Sequence, residues 1–389
     1  MKSLGIISEF NPFHNGHKFL LEQAKIQLNT DLHISFMSGD FIQRGDASVM
    51  DKYLRAYVAI KSGFDLVVEM PSFVSLQAAE FFALKSIVIL NKMNIDYLVF
   101  GIENISPDDF LQGASKIIEN QNSIDGKIKS LLKEGLSYPK AYNIMIDELV
   151  GRDFVSSNNI LALEYLRAIN KVNSKIKPYP IKRIKTSNKD KLIYDECFAS
   201  STAIRNNLDS EIYKLMPAIS FEKLIDFRNT YQDFDEDYIY KIFRYKILIE
   251  KSPMTTILGF EEGIDNYLYR LARRNLSYKS FLDEATSLRY TRSRIKRIIL
   301  NYILANTENL NDIDISFIKI LAYNEKASQF FKKLSENLKL VINKKDISKL
   351  DSNNLLIHKK MIEASNLYSL GINRDIDYDF VHNNRPIDW

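Results

Sequence analysis

The sequence predicts an α/β fold: a Rossmann-like, doubly wound parallel sheet followed by a mostly α-helical C-terminal domain. Three observations predict it. Short apolar runs rich in Ile, Val and Phe recur at Leu32–Met37, Asp65–Met70 and Asp96–Phe100, separated by helical stretches such as Ser75–Met93. Runs of that kind between helices are strands buried on both faces of a parallel sheet. The first such run, Leu4–Ser8, ends in a turn at Asn11-Pro12, after which Leu21, Ala24 and Leu28 mark one face of a helix. Beyond about residue 215 strand alternation is scarce, and proline occurs only at 217, 253 and 386. The expected units are residues 1–215 and 216–389.

Ligands in a doubly wound sheet bind beyond the carboxyl ends of the strands. The loops there are Ser8–His14, Ser38–Gly45, Pro71–Gln77 and Gly101–Glu103. Asp108–Leu149 reads as three helices rich in Lys, Ile and Leu. Ser156-Ser157-Asn158-Asn159 caps a further helix, Ile160–Asn170. Pro178–Ile184 is the next expected strand, with Lys182, Arg183 and Lys185 around it, and a polar loop, Thr186–Asp195, follows.

Composition bounds the class. Of 389 residues, 46% are hydrophobic and 26% charged, which is the profile of a globular protein with enough apolar material for two or three cores. No run approaches the ~20 apolar residues of a membrane span, and the N-terminus goes straight into a charged strand, so a cytoplasmic protein without signal peptide is expected. Cys197 is the only cysteine, which excludes internal disulfides and Cys-based zinc sites. It is expected to be a small buried residue. His33 and His358 carry no motif and are expected to be structural.

Chemistry concentrates in His14-Asn15-Gly16-His17, which follows a strand and opens a helix. A helix N-terminus offers unpaired N–H groups and a positive dipole end, so it suits phosphate. Two imidazoles there can donate to phosphate oxygens as pyrophosphate leaves, and Gly16 removes a Cβ that would hold a nucleotide off the backbone. HxGH in this setting resembles the signature of the adenylyl-transferring, HIGH-type nucleotidyltransferases. Ser200-Ser201-Thr202-Ala203-Ile204-Arg205 resembles the S-S-T-x-I-R motif of the same superfamily. Hydroxyls at a helix start cap its free N–H groups and can also bind phosphate oxygens, and Arg205 adds a permanently charged fork suited to a triphosphate.

Basic residues also cluster. Leu288–Arg297 holds five cations, Arg289, Arg292, Arg294, Lys296 and Arg297, with Arg270, Arg273, Arg274, Lys279 and Tyr267, Tyr269, Tyr278 upstream. Cations interleaved with tyrosines suit an RNA backbone and unstacked bases, although a solvated helix face has the same composition. Net charge overall is a mild +4.

Longer blocks narrow the resemblance. GIISEFNPFHNGHKFLL, MSGDFIQRGDASVMDKYLRA, DLVVEMP, YLVFGIE, NNILALEY and RYTRSRIKRIILNYIL follow in order the pattern of the tRNA(Met) cytidine acetate ligase family. The resemblance covers nearly the whole chain. It implies that residues 1–215 form a nucleotidyltransferase-like ATP-binding catalytic domain and residues 216–389 a helical tRNA-binding domain. It implies that ATP, with Mg²⁺ on its phosphates, and acetate give acetyl-adenylate and pyrophosphate. The acetyl group then passes to the wobble cytidine of elongator tRNA(Met), giving N4-acetylcytidine, with AMP released. No tightly bound cofactor, protein-held metal, membrane or obligate protein partner is implied.

The same resemblance implies catalytic roles for His14, His17 and Arg205. ATP is expected on Ile7, Ser8, Phe10, Asn11, Pro12, Phe13, His14, Asn15, Gly16, His17 and Leu20, with Gly101, Asn158, Arg183, Ser201 and Thr202. Asn159 is the adjacent alternative to Asn158; helix capping and a strand-end turn equally account for Asn158 and Gly101. Asp40, Gln43 and Arg44 bind acetate, position the cytidine or fix their loop, with substrate contact favoured for Arg44. Lys52 and Arg55 are candidates for RNA, and Asp40 and Glu103 for water-mediated contact with Mg²⁺. The alternatives are an adenylyltransferase with a small-molecule acceptor and a non-catalytic tRNA-binding protein. A synthetase fragment would carry a lysine-rich ATP loop that the sequence lacks.

Overall fold

Seven strands form one sheet in the order β5-β4-β1-β2-β3-β6-β7. A computed structural model of the chain describes residues 2–136, 138–151, 154, 156–183, 197–208, 211–381 and 386–387. The strands are β1 Ser3–Ser8, β2 Leu32–Ser38, β3 Leu66–Met70, β4 Tyr97–Ile102, β5 Lys177–Lys182, β6 Phe317–Tyr323 and β7 Lys339–Val341. β1 to β5 are mutually parallel, and their order reverses between β1 and β4. Two helices are α1, Asn15–Leu28, and α2, Lys52–Lys61.

Alternation along the strands builds the two layers. Ile34, Phe36, Leu66, Val68, Leu98 and Phe100 face the helices Ala79–Lys92, Pro107–Glu119 and Ser157–Lys171. Leu4, Ile6, Val67 and Val99 face α1 and α2 through Leu21, Ala24, Ala56 and Ile60. Each fully buried Leu, Ile, Val or Phe among these contributes roughly 1.5–3 kcal/mol. Ser156 ends the approach to the Ser157–Lys171 helix by accepting the Asn159 N–H at 3.2 Å. Three helices lie within 107–150, as their periodicity predicts. Ile184, Lys185 and the loop Thr186–Asp195 lie outside the described residues.

Two strands were not legible. β6 and β7 come from the half expected to be helical, and β6 pairs antiparallel with β3. The sheet therefore extends past residue 215 in sequence, while the remainder of that half is mostly helical. A buried ionic cluster seals the junction: Lys52 Nζ lies 2.8 Å from Glu69 and 2.9 Å from Asp379, and Lys319 Nζ lies 3.0 and 3.1 Å from the same two carboxylates. Two lysines meet two acids, so burial leaves no net charge there.

Candidate active site

The carboxyl ends of β1 and β4, where the strand order reverses, open into one cleft with two halves. The apolar half is walled by Ile6, Val99, Phe100, Leu161, Ala162, Ile181 and Phe198. The polar half holds Ser8, Glu9, Asn11, Gln43, Arg44, Ser201, Thr202 and Arg205. His14, His17, Asn158, Tyr165 and Arg183 border both halves.

His14 is itself the N-cap of α1. Its Nδ1 accepts the Gly16 N–H at 3.1 Å, and His17 Nδ1 accepts the His14 N–H at 3.2 Å. Each ring therefore carries its proton on Nε2. That of His14 donates to Ser201 Oγ at 2.9 Å, joining α1 to the Ser-Ser-Thr turn. The two imidazoles stack at 3.8 Å, and Phe10 packs edge-on against His17 at 5.0 Å. Burial, then each other and the nearby arginines, hold His14 well below the usual imidazole range; burial and Arg183 hold His17 down to about 3. Both are neutral donors at pH 7. Phe10 sits at φ +45°, a strained conformation for a bulky residue, fixed by contacts with Phe13 and Phe64. The Asn11-Pro12 bond is cis.

Thirteen of the sixteen residues expected to bind ATP line this cleft. Pro12, Phe13 and Asn15 do not. Phe13 is core, with its carbonyl accepting Ser220 Oγ at 2.7 Å, and Asn15 ties the helix start to the carbonyls of Cys197 and Lys214 at 2.9 and 2.8 Å. Of the doubled asparagine, Asn158 lines the cleft and donates to Glu103. Asn159 is buried and clamps the Glu103 backbone at 2.8 and 2.9 Å. The glycines are required by side chains. A Cβ on Gly16 would stand 2.9 Å from the His14 ring, and one on Gly101 2.8 Å from Arg183 Cγ. Arg183 lies over Gly101, with Nη1 3.7 Å from Glu103. Arg205 donates to the Asn11 carbonyl at 2.8 Å and to Thr202 at 3.2 Å. Asn11 Nδ2 is a buried donor with no partner among the described residues.

The loop after β2 is held from both sides. Gln43 donates its N–H to Glu9 Oε1 at 2.8 Å and accepts Arg297 Nη1 at 3.1 Å. Lys296 reaches Asp46 at 2.7 Å and Glu236 at 2.9 Å. Arg44 is exposed in the cleft mouth and makes no hydrogen bond or ion pair among the described residues. Asp40 does not line the cleft; its oxygens accept the Lys52 N–H and Ser365 Oγ, each at 2.8 Å. Of the cations expected at the RNA, Arg289 and Arg294 share Glu261, and Arg292 pairs with Asp283.

Three expectations are corrected. Lys52 and Arg55 cannot reach RNA, since both are almost wholly buried. Arg55 instead donates to four carbonyls, those of Glu9 and Gly39 at 2.5 Å, Met50 at 3.0 Å and Ser38 at 3.3 Å. Asp40 is likewise closed off from any Mg²⁺ in the cleft. Cys197 is exposed, because its neighbours Phe198 and Ala199 take the place in the cleft wall.

Besides the apolar wall, two residues of the cleft, Tyr165 and Glu9, were not singled out from the sequence. Tyr165 lies on the face of Asn158, Leu161 and Ala162, a spacing of three to four that was readable. Glu9 stood inside the motif segment itself, an acid at the end of an otherwise apolar strand. Burial raises its carboxyl above the usual range, partly offset by the Gln43 N–H, Arg205 and Arg44.

A family model described as HIGH Nucleotidyl Transferase matches residues 1–380. A tRNA(Met) cytidine acetate ligase of Lysinibacillus sphaericus is 34% identical over 97% of this chain and 96% of its own. One of Caldicellulosiruptor bescii is 32% identical over 88% of this chain and 87% of its own. The crystal structure of apo Thermotoga maritima TmcAL superposes with a TM-score of 0.87 at 29% identity, covering 99% of each chain. A second, bound with alpha-thio ATP, gives 0.85 at 28%. With this cleft, this strand order and these relatives, the chain belongs to the tRNA(Met) cytidine acetate ligase family of HIGH nucleotidyl transferases.

Proposed function

We propose that the protein is an ATP-dependent ligase that activates acetate as acetyl-adenylate and transfers the acetyl group to the wobble cytidine of elongator tRNA(Met). The observation that carries this reading is the joined cleft. An apolar pocket of nucleoside character continues, across His14 and His17, into a polar half with uncommitted donors. The base and ribose occupy the pocket between Ile6, Val99, Phe100 and Leu161. The phosphates lie at the α1 N-terminus, where the Nε2–H of His17, Asn11 Nδ2, Ser201, Thr202 and Arg205 donate to them.

Acetate enters beside Arg44 and attacks the α-phosphorus in line. The neutral His17 imidazole and Arg205 hold the departing pyrophosphate, while His14 fixes Ser201 beside them. Mg²⁺ travels on the ATP phosphates. The RNA lies along Arg289, Arg292 and Arg294, whose exposed, solvent-screened ion pairs exchange readily for phosphates.

The test is incubation of the protein with ATP, Mg²⁺, labelled acetate and bulk bacterial tRNA lacking the modification, followed by nucleoside analysis. Label on cytidine that requires both ATP and acetate is expected. ATP turnover with a small-molecule acceptor and no labelled RNA would reassign the protein as a general adenylyltransferase.

A further inference from the structure

We propose that Glu9 is the acceptor of the target amine: its carboxylate binds the exocyclic N4 amino group of the substrate cytosine and takes the proton this nitrogen loses on acetylation. The proposal rests on the two-step reading above and assigns the second step a residue.

Glu9 follows β1 directly and lies in the polar half of the cleft, beside Ile42, Gln43, Arg44 and Arg205. Its position is fixed twice. The Arg55 guanidinium holds its carbonyl, and the Gln43 N–H holds Oε1. Among the described residues no lysine, arginine or histidine forms a salt bridge with it. A glutamine at this position would accept the Gln43 N–H equally well, without the cost of a poorly neutralised carboxylate inside the protein. The loop contact alone therefore does not account for an acid here.

The chemistry of the amine does. Cytosine presents N4–H₂ as a donor, and a carboxylate is the side chain that accepts from it. Uracil presents a carbonyl oxygen at the same place, which a carboxylate repels. As N4 attacks the acetyl carbonyl carbon, a C–N bond forms and the bond from that carbon to the phosphate oxygen breaks. AMP leaves with the electron pair, and the N4 proton passes to the Glu9 carboxylate and on to water. Arg205 and Arg44 face Glu9 as cations, Asp46 as an acid, and Tyr165 as a neutral phenol; the imidazoles of His14 and His17 line the same cleft. Burial makes Glu9 more basic than an ordinary glutamate, which suits a general base working near neutrality.

The test compares Glu9→Gln and Glu9→Asp with the wild type in two assays: acetate-dependent exchange of labelled pyrophosphate into ATP, and acetyl transfer to unmodified tRNA across pH. Glu9→Gln is expected to keep exchange near the wild-type rate, which also reports its folding, and to lose transfer by about 10²–10⁴-fold. The acidic limb of the transfer profile should vanish, and Glu9→Asp should regain part of the rate. Transfer by Glu9→Gln at the wild-type rate would reduce Glu9 to a loop anchor. Equal loss of exchange and transfer would place it on ATP instead. Both results overturn the proposal. Acetylation of RNA by the wild type without exchange would overturn the two-step reading; Glu9 is then judged by the acidic limb, and its presence in Glu9→Gln sinks the proposal. No acetylation under any condition overturns both.

Discussion

Gly45 and Lys296 touch without room for another atom: a Cβ on Gly45 would stand 2.7 Å from Lys296 Cβ and 2.8 Å from the Arg297 backbone nitrogen. The loop that presents Gln43 and Arg44 to the cleft is thus seated on the helix Arg292–Ile303, whose other residues carry the exposed cations. Gly45 also adopts φ +78°, which an L side chain rarely takes. Gly45→Ala should cost about 1–3 kcal/mol of stability and lower acetylation more than ATP binding. Urea unfolding and nucleotide titration check this; a variant with a normal unfolding midpoint would show that the loop adapts.

His17→Ala removes an Nε2–H donor from the N-terminus of α1, the proposed phosphate site, but nothing from the basic helix. Acetate-dependent exchange of pyrophosphate into ATP should fall by about 10²–10³-fold, with tRNA affinity nearly unchanged. Filter binding beside the exchange assay measures both. Collapse of tRNA binding would contradict the separation of the nucleotide and RNA surfaces.

Replacing Arg289, Arg292 and Arg294 together by Ala should weaken tRNA binding and reduce the slope of log K against log salt by about 2–3, since each lost phosphate contact releases fewer counterions. ATP binding should be unaffected. An unchanged slope would leave these residues as a solvated face.

His358 lies on the helix Ser352–Gly371, buried near Lys319, Lys52 and Asp379. Burial chiefly, and the two lysines, lower its imidazole from 6.5 to about 4. The folded protein therefore refuses a proton that the unfolded chain accepts below about pH 6.5, so stability is full above that pH and falls as pH drops toward 4. Between pH 7 and pH 5 this one group should remove about 2 kcal/mol. Urea unfolding at both pH values should show His358→Gln losing less than the wild type by that amount; equal losses would mean that the ring becomes protonated in place.

Much of the site could be read before its geometry was known, because short-range signals define it. The strand Leu4–Ser8, the Asn11-Pro12 break and the His14 cap are contiguous, so spacing alone places two imidazoles at a helix mouth. The Ser-Ser-Thr turn is equally local. Tyr165 and Glu9 were within reach of the same local signals; the misread residues depended on partners far away in the chain. Lys52 and Arg55 look like surface cations in sequence, yet carbonyls and carboxylates from distant segments surround them. Gly16 and Gly101 were legible as sites of close approach, but the neighbours that require them are the His14 and Arg183 side chains. β6 lies in a half that is otherwise mostly helical, and its only clue is the apolar run from Phe317 to Tyr323, broken by Lys319.

That late strand sets a clock on the growing chain. β3 is complete at Met70, but its partner β6 begins only at Phe317. At ~5–20 residues per second of synthesis, roughly 12–50 s pass with that edge unpaired. A bare apolar edge invites another chain to add to it. Glu69 puts a charge within Leu66–Met70, and its cross-strand neighbour in the finished sheet is Lys319. The carboxylate that is neutralised in the mature protein is, during synthesis, the guard of an open edge.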